Sequence, residues 1–391
     1  MKILFFTNEY SHQKLPSSGG VGSFIKIIAQ ELLIQGHEVC VYGFSKKKHE
    51  FQDGSVKVKF FKKYAKQFPF SEFLRSLSKS LKIKSSEMFF LKKERQYLAN
   101  QLKKYALKNN IDIIESFVFG GYTSQWDNTI PLVLRFHGSR GFWHYYLGQK
   151  KEAHLIHLEQ IALENTPYTI AVSEFSAVAV KDMYNLEVDK IIYNGIDIEQ
   201  FSPQDNVDEL EQSIFYFGTI SKAKGIDILC QVFNDVIKKY PKTTLHLIGR
   251  GNDYWDEVSS QILSKEAKNN ATYYGAKQID ELPRLVQQAT VCVFPSLNET
   301  FGLIVTEAMA LEKVVIVSDI PSFNNIIKHT EDGFIAKKQE DYVSYISEMF
   351  NNYEDRKRIG KAARDKVNNN FTIQKMTEST ITYYQSILNK N

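Results

Sequence analysis

Apolar positions along this chain fall into short continuous runs separated by stretches with helical spacing. Ile3 to Thr7 is such a run and predicts a buried strand. A loop, Ser17-Ser18-Gly19-Gly20-Val21-Gly22, comes next. Phe24, Ile27, Ile28 and Leu32 then recur at intervals of three and four, predicting a helix from about Ser23 to Gln35 that Gly36 stops. Val39 to Phe44 closes a strand–helix–strand unit. The theme repeats at Ile111 to Ile114, Leu132 to Phe136, Thr169 to Val172 and Ile191 to Tyr193. Strands that alternate with helices predict a parallel sheet covered on both faces.

A turn-rich stretch, Asn194-Gly195-Ile196-Asp197 through Asn206, interrupts the pattern. Strands resume at Ser213 to Phe217, Thr244 to Ile248, Thr272 to Tyr274, Val291 to Phe294 and Val314 to Val317. The prediction is an α/β protein of two doubly wound domains, 1–196 and 197–372, with a terminal helix from about Thr372 to Leu388. The two domains are expected to face each other across a cleft, with ligands beyond the carboxyl ends of the strands. No fixed-period repeat or low-complexity tract is present.

The length of 391 residues agrees with two domains rather than one. Cys40, Cys230 and Cys292 are widely spaced with no Cys-x-x-Cys pair, which predicts reduced, buried side chains and a cytoplasmic location. The first apolar run is too short for a signal peptide, and no stretch reaches the length of a membrane span. Charge changes the picture more. Residues 57–108 hold 15 Lys or Arg and 3 acids, a local +12 that leaves −8 on the remainder of a chain whose net charge is +4. Phe70, Phe73, Leu74, Leu77 and Leu81 share one helical face there, with Arg75, Lys79 and Lys82 elsewhere, and Leu91, Leu98, Leu102 and Tyr105 repeat the pattern. Such basic amphipathic helices suit either a peripheral site on an anionic membrane surface or an apolar face laid on the sheet with solvated lysines, and the pattern does not choose. No nucleic-acid motif accompanies the charge, so nucleic acid is not expected as a partner.

The segment Pro295 to Ala310 carries the most chemistry. Glu299 follows the strand-like run Val291 to Phe294, and Glu307, with seven residues between them, lies on a helix that opens near Thr300 to Leu303. Backbone amides at that helix start suit an anion, and the carboxylates on either side suit sugar hydroxyls. Gly19-Gly20-Val21-Gly22 and Phe217-Gly218-Thr219-Ile220-Ser221-Lys222-Ala223-Lys224-Gly225 each follow the first strand of a domain. The glycines permit close approach of phosphate and Lys224 offers a point charge; the alternatives are a tight strand–helix turn and a solvated lysine. His137 ends another strand, where it can exchange a proton near a reacting sugar or simply pack. His154 and His157 lack a third metal ligand, Asp197 reads as turn chemistry, and Ser173 reads as a helix cap. Phe142-Trp143-His144-Tyr145-Tyr146 is either an acceptor platform or core.

In this order, Gly19-Gly20, Gly36-His37-Glu38-Val39, His137-Gly138, Asn194-Gly195-Ile196-Asp197, Gly218 to Gly225, Ile248-Gly249-Arg250-Gly251 and Glu299 to Glu307 resemble the retaining glycosyltransferases of family 4, which have the GT-B fold. The resemblance covers nearly the whole chain. It implies a nucleotide-sugar donor of UDP or GDP type, a glycan or lipid-linked acceptor, a role in bacterial surface glycan assembly, a terminal helix returning to the first domain, and no metal or other cofactor. It places Glu307 on the ribose and Glu299 near the donor sugar. The amides of Phe301, Gly302 and Leu303 fall on sugar hydroxyls or phosphate, Gly20, Gly218 and Lys224 at the diphosphate, and His137 at the reacting carbon. Two positions depart from the family pattern. Thr219 stands where an Arg is usual after the glycine, which leaves Lys222 or Arg250 to supply that charge, and Pro321-Ser322-Phe323-Asn324-Asn325 lacks the usual Glu. The rival readings are a GT-B epimerase or phosphorylase, and a non-catalytic nucleotide-sugar binder.

Overall fold

A computed structural model describes residues 1–16, 18–80 and 86–390. Ser17 of the glycine loop, and Leu81 and Lys82 of the basic segment, lie outside the described residues, as does the Lys79 side chain. The chain divides into two compact units, Met1–Ile192 with Met376–Asn391, and Tyr193–Lys375.

The first unit runs β1 Lys2–Thr7, α1 Gly20–Ile34, β2 Glu38–Ser45, β3 His49–Asp53, β4 Val56–Lys62, α2 Tyr64–Gln67, α3 Pro69–Ser80, α4 Ser86–Lys108, β5 Ile113–Phe117, β6 Leu132–Phe136, α5 Arg140–Leu147, α6 Ala153–Glu164, β7 Tyr168–Ala171, α7 Glu174–Tyr184 and β8 Lys190–Ile191. Its eight strands are ordered β3-β4-β2-β1-β5-β6-β7-β8. All neighbours are parallel except the β3–β4 hairpin. The hydrophobic runs did not predict that hairpin: Lys57, Lys59 and Lys62 break up the buried apolar residues of β4, Val56, Val58, Phe60 and Phe61. Part of the basic segment is therefore strand.

Helix α1 begins at Gly20, about a turn before its periodicity, because glycines carry no apolar signal and lower helix propensity. Its start is fixed instead by Glu9, whose carboxylate accepts from the Gly19 amide at 2.6 Å. Ile25, Ile28 and Leu32 bury one side against the sheet. The apolar stripe of α4, Leu91, Leu98 and Leu102, is likewise buried. There the packing alternative holds.

The second unit runs β9 Ser213–Phe217, α8 Ile226–Lys239, β10 Thr244–Ile248, α9 Asn252–Ile262, α10 Lys265–Asn269, β11 Ala271–Tyr273, α11 Leu282–Gln287, β12 Val291–Phe294, α12 Leu303–Ala310, β13 Val315–Ser318, α13 Pro321–Ile326, β14 Phe334–Ala336, α14 Gln339–Asn351 and α15 Tyr353–Asn370. Its all-parallel sheet is ordered β11-β10-β9-β12-β13-β14. β14 is an edge strand of three residues, too short to stand out as an apolar run. The chain enters and leaves this unit side by side: Ile196 N donates to Phe371 O at 2.7 Å and Ile373 N to Ile196 O at 3.1 Å.

The last helix, α16 Ile373–Leu388, lies with the first unit from Met376 onward. Met376, Ile381, Tyr384 and Ile387 join that unit's core. Its polar anchor is buried: Arg135 on β6 donates to both Glu115 oxygens at 2.9 and 3.1 Å and to Thr380 at 3.1 Å, and the Tyr384 hydroxyl donates to Glu115.

In each sheet the chain starts in the middle, builds outward one way, then returns to build the other. The reversal leaves a crevice at the carboxyl ends of β1 and β5 in the first unit and of β9 and β12 in the second.

Candidate functional site

The crevice of the second unit gathers most of the residues singled out in the sequence. After β9 the chain passes Gly218, Thr219 and a short 3-10 turn at Lys222–Lys224 before α8. Gly225 joins turn to helix at φ +68°, and a Cβ there would sit 1.9 Å from the Pro295 carbonyl oxygen. The loop can lie this close to the end of β12 only without a side chain. The Leu297 amide donates to Ala223 O at 3.0 Å, which locks the two loops together.

That contact brings Lys224 onto Glu299. Lys224 Nζ forms an ion pair and hydrogen bond with Glu299 Oε1, both side chains partly buried. Ser296 Oγ donates to the same oxygen at 3.3 Å, and Ser318 Oγ holds the Ser296 carbonyl. Beneath them the buried Tyr216 hydroxyl donates to Thr219 O at 2.8 Å. Burial, then the neighbouring Glu299 charge, pushes that phenol well above its ordinary pKa.

α12 starts at Leu303, capped by Gly302 at φ +119°. A Cβ on Gly302 would meet the Phe323 ring at 2.7 Å, so the glycine is required for space as well as conformation. Val305 N and Thr306 N both return to Gly302 O, whereas the Leu303 and Ile304 amides, as the first two of a helix, have no intrahelical acceptor. Glu307 lies one turn on, on the face of Leu303 and Ile304. It is half-buried and forms no hydrogen bond or ion pair with the described residues, and desolvation pushes its carboxyl up to about 8. Phe301, by contrast, is buried against Tyr193 and Phe371, so only its main chain is available to a ligand.

Thr219 is exposed. Arg250, also exposed, follows β10, and its carbonyl accepts from Ile220 N at 2.7 Å, which places the arginine's loop beside the Thr219 loop. Lys222 is exposed on the turn itself.

The first unit holds a second cluster. A cavity of about 350 Å³ opens at the ends of β1, β5 and β6, lined by Thr7, Glu9, Gly20, Phe117, His137 and Trp143 among others. A Cβ on Gly20 would meet nothing within 4 Å, so its Cα fronts open space. His137 is packed against Phe24 and Phe117 at ring-centroid distances of 4.4 and 5.6 Å. Burial, then the Arg135 charge, lowers its pKa well below the ordinary range, so the imidazole is neutral at physiological pH. Trp143 borders this cavity, Phe142 is core and Tyr145 is exposed, so the aromatic stretch is core only in part. Nothing in the sequence marked Tyr216 or Ser296 as site residues; one is part of an apolar strand run, the other an ordinary loop serine. Glu9 carried a weak signal, a carboxylate just past the first strand.

The remaining assignments are structural. Ser173 Oγ accepts from Ser176 N at 3.0 Å as a helix cap. Asp197 Oδ1 accepts from Glu199 N at 3.1 Å and Gln200 N at 3.0 Å in the unit-entry turn. All three cysteines are buried and unpaired. Among the described residues, no three His, Cys, Asp or Glu are grouped to hold a metal ion, and no helix is long and apolar enough to cross a membrane.

Comparison with known proteins agrees with both units. Residues 18–200 match the family described as Glycosyltransferase Family 4, and residues 197–366 match Glycosyl transferases group 1. The GDP-mannose:cellobiosyl-diphosphopolyprenol alpha-mannosyltransferase of Xanthomonas oryzae is 26% identical over 212 residues, 54% of this chain and 55% of that one. The first-ranked curated relatives are matched over 62 to 67% of their own length. Among solved structures, sucrose-phosphate synthase from Thermosynechococcus elongatus superposes with a TM-score of 0.79 at 16% identity, covering 100% of both chains. Anabaena Alr3699/HepE in complex with UDP and glucose gives 0.70 at 18% identity, covering 99% of this chain and 100% of that one. This chain belongs to the family 4 glycosyltransferases and has the GT-B fold.

Proposed function

We propose that the protein transfers a sugar from a nucleoside diphosphate donor to an acceptor hydroxyl with retention of anomeric configuration. The observation that carries this reading is the arrangement around α12: a lysine poised by Glu299, amides without intrahelical acceptors at a helix start, and one turn further a carboxyl group with no partner among the described residues. The diphosphate would lie on the Gly218–Lys224 loop and the Leu303 amide. There Lys224, with Arg250 or Lys222 in place of the missing arginine, neutralises the charge that develops on the leaving group. Glu307 receives the ribose hydroxyls, which replace the hydration its side chain lacks. Glu299 shares Lys224 in the free protein and accepts sugar hydroxyls when phosphate draws the lysine away. The bond from the anomeric carbon to the diphosphate oxygen breaks as the bond to the acceptor oxygen forms, and the acceptor's proton passes to the departing diphosphate. Neutral His137, at the first unit's cavity, is suited to hydrogen bonding rather than to charge stabilisation.

The relative from Xanthomonas oryzae is named for a GDP-mannose donor and a diphosphopolyprenol-linked acceptor, and one structural relative was solved with UDP and glucose. These support a nucleotide-sugar donor and a lipid-linked glycan acceptor in surface glycan assembly. Three buried, unpaired cysteines suit the reducing cytoplasm. Charge neutralisation by protein groups assigns no role to a resident metal, so activity should persist in excess chelator. The test is incubation with labelled nucleotide sugars and lipid-linked acceptors, followed by NMR of the new linkage. A glycoside with the donor's anomeric configuration supports the reading. Free 2-epimerised sugar, a requirement for inorganic phosphate, or donor binding with no turnover against any acceptor would replace it with the corresponding rival.

A further inference from the structure

Helix α3 is amphipathic but faces the wrong way for a helix that only covers its sheet. Phe70, Phe73, Leu74 and Leu77, at i, i+3, i+4 and i+7, form one stripe, and they are 72, 61, 39 and 45% exposed. The opposite side carries the polar contacts. Arg75 pairs with Glu87 on α4 at 2.5 Å and with Glu72 at 3.7 Å, and Ser71 Oγ shares a hydrogen bond with the Tyr64 hydroxyl at 3.1 Å. Phe68, just before α3, and Phe89, on α4, are exposed as well. By contrast, the stripe of α4 in the same basic segment is buried, so the exposure belongs to α3 and not to the segment as a whole.

Charge around the stripe is one-sided. The three acids of residues 57–108 are all ion-paired with its two arginines, Glu72 and Glu87 with Arg75, and Glu94 with Arg95 at 2.7 Å. The segment's excess charge therefore resides on lysines. Lys62, Lys66, Lys92 and Lys93 are exposed, and Lys93 Nζ lies 5.3 Å from the exposed Phe89 ring. A groove of about 580 Å³ adjoins α2 and is lined by Lys48, Lys62, Phe68 and Tyr97, and by Lys59 paired with Glu50 at 2.8 Å, which gives a similar combination of cation and aromatic.

We propose that the Phe70–Leu77 face of α3 docks on an anionic lipid surface, lying in the interface with its aromatics among the acyl chains and the surrounding lysines on the headgroups. Helix length decides against spanning: 12 residues cover about 18 Å, short of a hydrocarbon core of about 30 Å. Charge decides against a second copy of the chain, because a symmetric contact would press two faces of the same strong positive sign together. The lipid surface is complementary in both respects. This proposal does not depend on the transfer reading, since docking is measured without donor or acceptor.

Flotation of the full chain with vesicles tests it. The chain should float with phosphatidylcholine vesicles containing phosphatidylglycerol, remain behind with phosphatidylcholine alone, and be released by high salt. Lys66→Gln with Lys93→Gln should lower the apparent vesicle affinity roughly thirtyfold, at about 1 kcal/mol for each lysine. Phe70→Ser with Phe73→Ser, on an exposed face where folding is not at stake, should lower it more than about tenfold. Equal, negligible flotation with both vesicle types would overturn the proposal. So would undiminished flotation of the phenylalanine variant, or a wild-type dimer in light scattering that the same variant converts to monomer.

Discussion

Lys224 and Glu299 stand 75 residues apart in sequence and share a hydrogen-bonded ion pair at the carboxyl ends of the adjacent strands β9 and β12. Each was identifiable on its own as a candidate; their pairing was not. The pair means that in the free protein the lysine is already held in place, and that an incoming diphosphate competes with a carboxylate for it. Lys224→Ala should lower kcat/KM by about 10²–10³, the usual loss when a group that stabilises a developing oxyanion is removed. Glu299→Gln should separate two quantities that Lys224→Ala lowers together. The lysine is released, so nucleoside diphosphate should bind as well or better, while turnover of the nucleotide sugar falls. Steady-state kinetics and titration calorimetry on both variants would check this, and parallel losses in the Gln variant would contradict it.

Glu307 gives a pH signature. Its folded-state pKa, about 8, lies above the ordinary 4.5. Below 4.5 both folded and unfolded chains hold the proton, and the group costs no stability. Between those values only the unfolded chain releases it, so stability falls as pH rises towards 8 and then levels off. Glu307→Gln should remove this slope and raise the melting temperature most at alkaline pH. Thermal melts of the two proteins across that range should diverge with rising pH, and parallel curves would show that the carboxyl is not desolvated.

How much of this was legible in the sequence follows from what each element is made of. Strands such as Val291–Phe294 are buried on both faces and read as unbroken apolar runs, and Leu132–Phe136 is broken only by the buried Arg135. The hairpin strand β4 alternates lysines with its apolar residues, and so it merged into the basic segment. Within that segment, periodicity showed two amphipathic stripes but could not show that α4 turns its stripe inward and α3 outward, because that depends on the Arg75–Glu87 pair between helices. At the site, the residues of local motifs, Gly218 to Gly225 and Glu299 to Glu307, were visible. The supports that arrive from elsewhere in the chain, Tyr216 under the loop and Ser318 on the Ser296 carbonyl, were not.

Gly225 is the mechanical link between Lys224 and β12. Gly225→Ala must move either the loop or Pro295, since the new methyl carbon would lie 1.9 Å from a carbonyl oxygen in a left-handed backbone conformation. The variant should lose nucleoside diphosphate affinity by at least about tenfold, with a destabilisation of roughly 1–3 kcal/mol. Urea denaturation and calorimetry would measure both, and a variant equal to wild type in each would show that the loops are not locked together.

The buried Glu115–Arg135–Thr380–Tyr384 network fastens the last helix to the first unit's sheet. Arg135→Leu leaves Glu115 without its counter-charge in a fully buried position and should cost about 3–5 kcal/mol. Tyr384→Phe removes one hydrogen bond to that carboxylate and should cost about 1.5–3 kcal/mol. Urea titrations of the full chain would rank them. A Tyr384→Phe variant less stable than Arg135→Leu would contradict the assignment of Arg135 as the central member.

The central claim is that the crevice of the second unit binds a nucleoside diphosphate through Lys224 and Glu307. Titration calorimetry with UDP, GDP and ADP, on the wild-type chain and on Lys224→Ala and Glu307→Ala, tests it most directly. The account predicts that at least one of these diphosphates binds the wild-type chain and that each substitution weakens that binding about tenfold or more, which corresponds to the loss of one charge-assisted hydrogen bond. Binding of none of them, or wild-type affinity in both variants, would contradict it.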